Sequence, residues 1–552
     1  MDESPESAPA AAILRRTDLP WLAALAIGTA AAAWLTYATR FLLLNVAADT
    51  WAHLALIRRT MESGWFPGNP FYVGMPTPPN YSLEHVALAT LSTLLHVPPH
   101  ELWLAMPPIV LVGTICAVFV WLHALTNDTR VAAVGAAVEL LVRAPDAAWT
   151  CMPYPRALSL APYALALFWY FRGRESGRRW LLIAAGVAFG ICLDIHAVTG
   201  ASCLLTLAFL EISFAPSGFR VARIALTVAT ALAIGAPWLV NLFNASRGQS
   251  LPVPALDAIE YPIIQDAWTL HLKWLTVTMY PPGRILDALP WPLWPLVAYG
   301  LTLCVGRWRR GCATAADRYA LVAATGTLAL LFTPLYGILL GAGGMWAARI
   351  VRVLPLALLV GLGTTAGADS VTDRFLTRWP PLVPRLVAGV LVASLACGAI
   401  RIVRQYVGNV TLGLAFGRNT LHFSLLAEEL AAVGKPRVVL SDPVTSYMIP
   451  YHFGCWIVAA PQVRTFVDGR ARELAVQRFY DRGTSMDERH SIMERYDADT
   501  VAVQLKSRRL DDDEHVLLDR LRADAAFRDA GCCGTLRFFL YGPRSRMSDY
   551  NS

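Results

Sequence analysis

Four short clusters combine residue types and spacings that can do chemistry. Asp49-Thr50-Trp51-Ala52-His53 follows the first long apolar run, and Asp49 and His53, four residues apart, share one face of a helix. A carboxylate there suits a general base that takes the proton of an acceptor hydroxyl. The same position also suits a divalent-cation ligand or a plain helix cap. Tyr81-Ser82-Leu83-Glu84-His85 comes after a proline cluster and opens an apolar helix. Glu84 and His85 are candidates for binding substrate, against the plainer expectation of a helix start open to water. Tyr154-Pro155-Arg156 begins a later apolar run, and Asp194 and His196 close the next. Arg156 wants an anion, with lipid headgroup phosphate as the plain alternative to substrate. His196 is a candidate substrate ligand or a satisfied core histidine. Arg349-Ile350-Val351-Arg352 sets two guanidiniums about one turn apart, and their fork geometry matches phosphate or pyrophosphate oxygens. Snorkelling to the interface is the plain alternative there.

The elements that must position these groups are membrane spans. Of the 552 residues 55% are hydrophobic and 16% charged, against about 25% charged in an ordinary globular chain. The mean hydropathy is +0.45. Up to about residue 405, apolar runs of about 17 to 25 residues alternate with short loops, the length a bilayer core demands. The first run is 19–44; others lie near 104–125, 131–143, 157–171, 180–196, 199–214, 223–243, 288–305, 319–340, 343–363 and 386–404, about eleven in all. The pair around Asp194 to Gly200 also fits a re-entrant segment. Alternate loops carry the basic groups (Arg15/Arg16, Arg130, Arg172 to Arg179, Arg220/Arg223, Arg307 to Arg310, Arg374 to Arg385) and the intervening loops carry few. That asymmetry predicts an N-terminus inside and a C-terminus outside. The first run lacks a small-residue cleavage site and is expected to be an anchor.

The expected fold is therefore a polytopic α-helical membrane protein with a C-terminal extracytoplasmic α/β domain. Residues 1–18 form a cytoplasmic tail, 19–405 the membrane domain with a large first outer loop at 45–103, and 406–552 the soluble domain. Within the latter, Arg437 to Ser441, Trp456 to Ala459, Thr500 to Val503 and Leu536 to Leu540 are expected strands, and Asp511 to Ala526 a helix with a favourable acidic start. No glycine-rich phosphate loop accompanies them. The formal charge of +7 does not indicate a nucleic-acid partner, because the arginines sit in short loops that orient helices. The ten cysteines show no metal or disulfide pattern; Cys116, Cys192, Cys203, Cys304 and Cys397 lie within apolar runs and are expected to be small core residues. Ionisable groups at a membrane boundary are costly unless paired or functional, so the four clusters are where function is sought. Together they put carboxylates, histidines and arginines on one side of the membrane, a layout that suits a substrate on an anionic lipid carrier.

Asp49-Thr-Trp-Ala-His53, directly after a first span, resembles the first-loop acidic motif of GT-C superfamily glycosyltransferases, the group of the oligosaccharyltransferase catalytic subunit and the protein mannosyltransferases. Tyr154-Pro-Arg-Ala-Leu158 with His196 beyond it, and the run from Arg349 to Leu362, are similar to stretches of uncharacterised bacterial members. Leu440-Ser-Asp-Pro443 and Phe466-Val-Asp-Gly-Arg470 are similar to their extracytoplasmic domains. The resemblance implies an inverting glycosyltransferase of the inner membrane that moves a sugar from a polyprenyl-phosphate carrier to a glycan, lipid or protein acceptor. It implies that Asp49 is the base or a metal ligand, and that Arg349 or Arg352 holds the carrier phosphate. His53, Glu84, His85, Arg156 and His196 are the further candidate substrate ligands. A divalent cation (Mg or Mn) is the one cofactor these residues leave room for, with Asp49 and Glu84 its candidate ligands. The chain departs from the pattern in having Asp146 alone where a second acidic pair would stand, and in lacking a Trp-Trp-Asp acceptor signature. Both departures speak against a true oligosaccharyltransferase. A transporter or flippase of lipid-linked or anionic solutes, and a non-catalytic assembly or sensor protein, are the rival expectations. No internal repeat of the transporter kind is present.

Overall fold

A computed structural model describes residues 18–40, 48–75, 77–78, 81–142, 154–214, 220–246, 279–375, 382–415, 437–442, 445–459, 469–505, 514–533 and 536–542. Most of these residues are helical. In chain order the helices are α1 (Leu19–Ala38), α2 (Ala48–Ser63), α3 (Leu83–Leu95), α4 (Pro99–Thr126), α5 (Thr129–Glu139), α6 (Pro155–Leu158), α7 (Leu160–Ser176), α8 (Arg179–Ile195), α9 (Ala197–Ser213), α10 (Val221–Ser246), α11 (Pro282–Leu286), α12 (Trp294–Arg309), α13 (Ala315–Phe332), α14 (Leu335–Gly343), α15 (Leu356–Phe375) and α16 (Leu382–Ala415). A 3-10 helix, Gly344–Val353, joins α14 to the run that leads into α15.

Among the described residues, six stretches are long and apolar enough to cross a membrane: Leu19–Ala38, Pro99–Thr126, Val221–Asn241, Ala315–Phe332, Arg349–Ser370 and Arg385–Arg404. The chain is a multi-pass membrane protein. The other expected spans are helices too, but α5 has 11 residues, α12 has 16, and α7, α8 and α9 have 17 each. The expected tenth span changes character midway: its first half is the 3-10 segment, and α15 continues past it to Phe375. The Asp194 to Gly200 pair is a sharp break, with α8 ending at Ile195 and α9 starting at Ala197.

The Arg349–Ser370 stretch is the core of the helical body, 78% buried where the other five are at most half buried. Glycines let it sit there. A Cβ at Gly361 would lie 2.7 Å from the Val131 carbonyl oxygen of α5, and one at Gly363 would lie 2.1 Å from that of Leu296 in α12. Close backbone approach through small residues is what holds helices together where lipid removes the hydrophobic drive. Three of the loop-borne basic groups are pinned at helix ends. Glu211, fully buried, accepts from the Tyr170 hydroxyl at 2.9 Å and faces Arg223 at 3.3 Å and Arg174 at 3.4 Å. Arg130 pairs with Asp369 at 3.0 Å. Of the five cysteines expected in the core, Cys192, Cys203 and Cys304 are buried, whereas Cys116 and Cys397 are exposed on outward faces, as apolar thiols in lipid can be.

The C-terminal part carries a five-stranded mixed sheet in the order β2-β1-β3-β5-β4, made of β1 (Val438–Ser441), β2 (Trp456–Ile457), β3 (Thr500–Gln504), β4 (Phe527–Cys533) and β5 (Leu536–Tyr541). β1 pairs in parallel with β2 and β3, and β5 runs antiparallel between β3 and β4. Around it lie α17 (Ile449–Phe453), α18 (Gly469–Tyr480), α19 (Met486–Arg495) and α20 (Glu514–Ala523). The four expected strands are there. β4 was not expected, because Phe527 to Cys533 has no apolar run; its Asp529 instead pairs with Arg537 across the hairpin and a bulge at Gly531, φ 104°, bends it.

This sheet docks on the first loop. Ile457 N–H donates to the Phe71 carbonyl at 2.8 Å, the Trp456 indole donates to the Asn69 carbonyl at 3.2 Å, and Arg58 donates to the Tyr451 carbonyl at 2.6 Å. Trp51 packs its ring 4.8 Å from that of His452. Helix α2 is thereby held between the membrane helices and the sheet.

Candidate active site

Ser82 takes an extended conformation and caps α3 together with His85, so Glu84 and His85 enter the first turn. They are not open to water: Glu84 is 5% and His85 0% exposed, which corrects the expectation of a solvated helix start. Both turn toward His53 on α2. His53 Nδ1 lies 2.9 Å from His85 Nε2, and Glu84 Oε1 lies 3.7 Å and 3.8 Å from those two nitrogens. Ser82 N–H points at His85 Nδ1 at 3.0 Å, so the His85 proton belongs on Nε2 and is donated to His53. Neither Glu84 oxygen makes a hydrogen bond among the described residues. Trp103, Tyr154 and Tyr81 wall the cluster, with ring centroids 5.6 Å and 5.9 Å from His53 and 5.5 Å from His85 respectively. Removal from water pushes the Glu84 carboxyl well above the usual range and His85 well below it. Burial, helped by the Arg156 charge, lowers His53 to about 3.

Asp49 lies in the first turn of α2, one turn ahead of His53; its side chain is outside the described residues, as are Asp146, Pro443 and Phe466 to Asp468. Next along the helix, Thr50 hydrogen-bonds the Tyr154 hydroxyl at 2.9 Å. That contact leads from the first loop to the Tyr-Pro-Arg cluster. Tyr154 is buried at the mouth of α6, and the Arg156 guanidinium stands 6.0 Å from its ring.

The Arg156 charge is also felt at His196, beside the arginine pair. His196 sits in the one-residue break between α8 and α9 and caps α9. Arg349 Nη1 donates to His196 Nε2 at 3.0 Å, while His196 Nδ1 accepts from the Thr199 backbone N–H at 3.2 Å and lies 2.7 Å from the Thr199 hydroxyl. His196 is thus a working cap and an arginine partner rather than an idle core residue. The Arg352 and Arg156 charges also act on it. The 3-10 conformation brings residues three apart into line, so Arg349 and Arg352 share an edge. Arg352 lines a cavity with Glu139, Tyr163 and Tyr319, while Val118, Leu122 and other apolar side chains form the rest of its wall.

The four sequence clusters are therefore linked: His53, Glu84 and His85 lie together, and the Arg156 charge acts both on His53 and on His196, the partner of Arg349. Three residues were missed. Glu139, the one acidic group in the 131–143 run, and Tyr163 and Tyr319 in later runs share the Arg352 cavity; an acid inside an apolar run was the available signal. Asp194, noticed in the sequence but given no role, is buried, with neither oxygen hydrogen-bonded among the described residues.

No protein-family model matches the chain, and no curated protein resembles it in sequence. Solved structures do resemble it in fold. The archaeal oligosaccharyltransferase AglB from Archaeoglobus fulgidus, determined with an inhibitory peptide and a dolichol-phosphate, is 13% identical and superposes with a TM-score of 0.55 over 96% of this chain and 75% of its own. ArnT from Cupriavidus metallidurans, determined bound to undecaprenyl phosphate, is 12% identical with a TM-score of 0.54 over 94% of this chain and 99% of its own. The mycobacterial arabinofuranosyltransferase AftD gives 0.52 at 14% identity, this chain spanning 40% of it. The chain has the GT-C fold. Asp49 and the late arginines belong to different elements. Thr50 bonds Tyr154, Arg156 stands near the Tyr154 ring, and the Arg156 charge acts on His196, the Arg349 partner.

Proposed function

We propose that this protein is an inverting glycosyltransferase that takes a sugar from a polyprenyl-phosphate carrier and passes it to an extracytoplasmic glycan, lipid or protein. The observation that carries this reading is the arginine group: Arg349 donates to His196, the Arg156 and Arg352 charges act on the same imidazole, and Arg352 lines a cavity with mostly apolar walls. Guanidiniums next to apolar walls suit a phosphate with a lipid tail. The neighbours AglB and ArnT were both determined with polyprenyl-type phosphates, which agrees with that chemistry.

In this mechanism Asp49 accepts the proton of the acceptor hydroxyl as its oxygen attacks the anomeric carbon. The bond from that carbon to the carrier phosphate breaks, and the phosphate departs with the electron pair. Arg349 and Arg352 stabilise the charge that develops on it, in a site partly shielded from water. A single displacement inverts the anomeric centre. Holding both substrates in one pocket supplies much of the remaining acceleration. We place the N-terminus in the cytoplasm of an inner membrane, about eleven crossings before residue 405, and the domain from 406 onward outside, an orientation that the loop charges favour. His53, Glu84 and His85 line the acceptor side of the site.

The test is mass spectrometry of envelope glycans and lipid-linked sugars in a deletion strain complemented with wild type or with Asp49→Asn at matched expression. One sugar should vanish on deletion, return with wild type and stay absent with Asp49→Asn. Full restoration by Asp49→Asn removes Asp49 as the base. A deletion that alters only the distribution of a solute makes transport the better account.

A further inference from the structure

Glu84, placed on the acceptor side, takes no part in the bond-making and bond-breaking steps, and its burial needs a reason. Its carboxylate is buried, at 3% side-chain exposure, and neither oxygen has a hydrogen-bond partner among the described residues. An isolated buried carboxylate is expensive, and buried charges in proteins are paired or bind metal. Beside the Ser82 hydroxyl that tempers its burial, the groups facing it are two imidazole nitrogens at 3.7 and 3.8 Å. The three donor atoms (one from each of His53, Glu84 and His85) lie within 4.8 Å of one another.

We propose that His53, Glu84 and His85 hold a divalent transition-metal ion of the zinc class, which ties α2 to α3. A tetrahedral ion about 2.1 Å from its nitrogen and oxygen ligands would hold them about 3.4 Å apart. The observed separations of 2.9, 3.7 and 3.8 Å bracket that value, so side-chain adjustments of a few tenths of an ångström admit the ion. Two imidazoles and one carboxylate suit zinc, cobalt or nickel, whereas magnesium and calcium prefer oxygen throughout. That choice departs from the Mg or Mn expected from the carboxylates alone.

The surroundings complete the site. On binding, His85 must free Nε2 and carry its proton on Nδ1. Ser82 receives it there with its hydroxyl, 3.1 Å away, or its carbonyl oxygen, 3.3 Å away, once its own N–H, which points at Nδ1 from 3.0 Å in the metal-free arrangement, turns aside. Such an outer partner fixes the tautomer of a ligating histidine. Trp103, Tyr81 and Tyr154 keep bulk water from the ligands. Three protein ligands leave a fourth position, and Asp49 stands one helical turn before His53.

The experiment uses the full-length protein purified in detergent, stripped with chelator, and titrated with Zn²⁺ or Co²⁺. Wild type should bind one ion per chain, give Co²⁺ d–d absorption of tetrahedral intensity, and keep the ion against excess Mg²⁺. Glu84→Gln and His53→Gln should weaken binding by roughly 100-fold or more, since even outer-partner losses cost 10–100-fold. Absence of a Co²⁺ spectrum in wild type overturns the proposal, and that readout needs no variant to fold. Equal Zn²⁺ retention by wild type and Glu84→Gln means an adventitious ion only and also overturns it. The assay involves no sugar transfer, so it stands or falls separately from the transferase reading.

Discussion

Replacing Gly363 with alanine tests whether the placement of the arginine segment depends on backbone contact between α12 and α15. The added Cβ would lie 2.1 Å from the Leu296 carbonyl oxygen and 3.2 Å from Gly300 N, where ordinary contact begins near 3.4 Å. The two backbones must therefore part by about 1.3 Å along that contact. Gly300 faces the same crossing, with the Leu359 carbonyl 2.3 Å from its would-be Cβ. Because the obstructing atoms are backbone and cannot rotate aside, the strain belongs at the upper end for overpacked interiors, about 3 kcal/mol. That is about a 100-fold shift in the unfolding equilibrium. The protein's own thiols report it: Cys304 on α12, with Cys192 and Cys203, is buried and free. Heating in detergent with a thiol-reactive fluorophore should expose these thiols about 3 °C earlier in Gly363→Ala than in wild type, by the entropy per residue of ordinary domains. Gly306→Ala on the same helix, with nothing within 4 Å of its Cβ, should leave the transition unchanged or raise it slightly. Since α15 continues the Arg349 and Arg352 segment, sugar transfer should fall in Gly363→Ala alone. A Gly363→Ala protein as stable as wild type, or an equal loss in Gly306→Ala, refutes the packing argument.

Arg349→Ala removes the guanidinium that donates to His196 at 3.0 Å and faces the proposed carrier phosphate. Donor kcat/KM should fall by about 10- to 150-fold, the equivalent of a charged hydrogen bond of about 1.5–3 kcal/mol, and Arg349→Lys should recover part of it; steady-state kinetics over donor concentration decides. Docking of the sheet on α2 should depend on pH through His452, which burial, aided by the His100 and Arg58 charges, lowers from 6.5 to about 3. The folded form binds fewer protons than the unfolded form between those values, so the stability is complete above about pH 6.5 and falls as the pH drops toward 3. Going from pH 6.5 to 5.0 should remove on the order of 2 kcal/mol, seen as faster limited proteolysis of the C-terminal part, and His452→Gln should flatten the dependence.

Much of this architecture is carried by local sequence. Apolar runs of bilayer length dictate helices because a chain in hydrocarbon must satisfy its own backbone hydrogen bonds. Alternation between basic and bare loops suggests an orientation before any contact is known. The strands Val438–Ser441, Thr500–Gln504 and Leu536–Tyr541 were visible as short apolar runs, whereas Phe527–Cys533, stabilised by its pairing with β5, was not. The candidate residues were also visible singly, because charge in or beside an apolar run is costly enough to mark itself.

Their assembly was decided only by tertiary structure. Nothing local shows that Glu84 and His85 leave water to meet His53, 32 residues away from His85, or that Arg349 reaches His196 across 153 residues. Nor does the Arg349 segment announce a 3-10 rather than an α conformation, since both accept the same residues. Glu139 was passed over because its importance lies in the cavity it shares with Arg352. A carboxylate's role depends on what replaces its lost water, and those partners come from parts of the chain that only packing brings together.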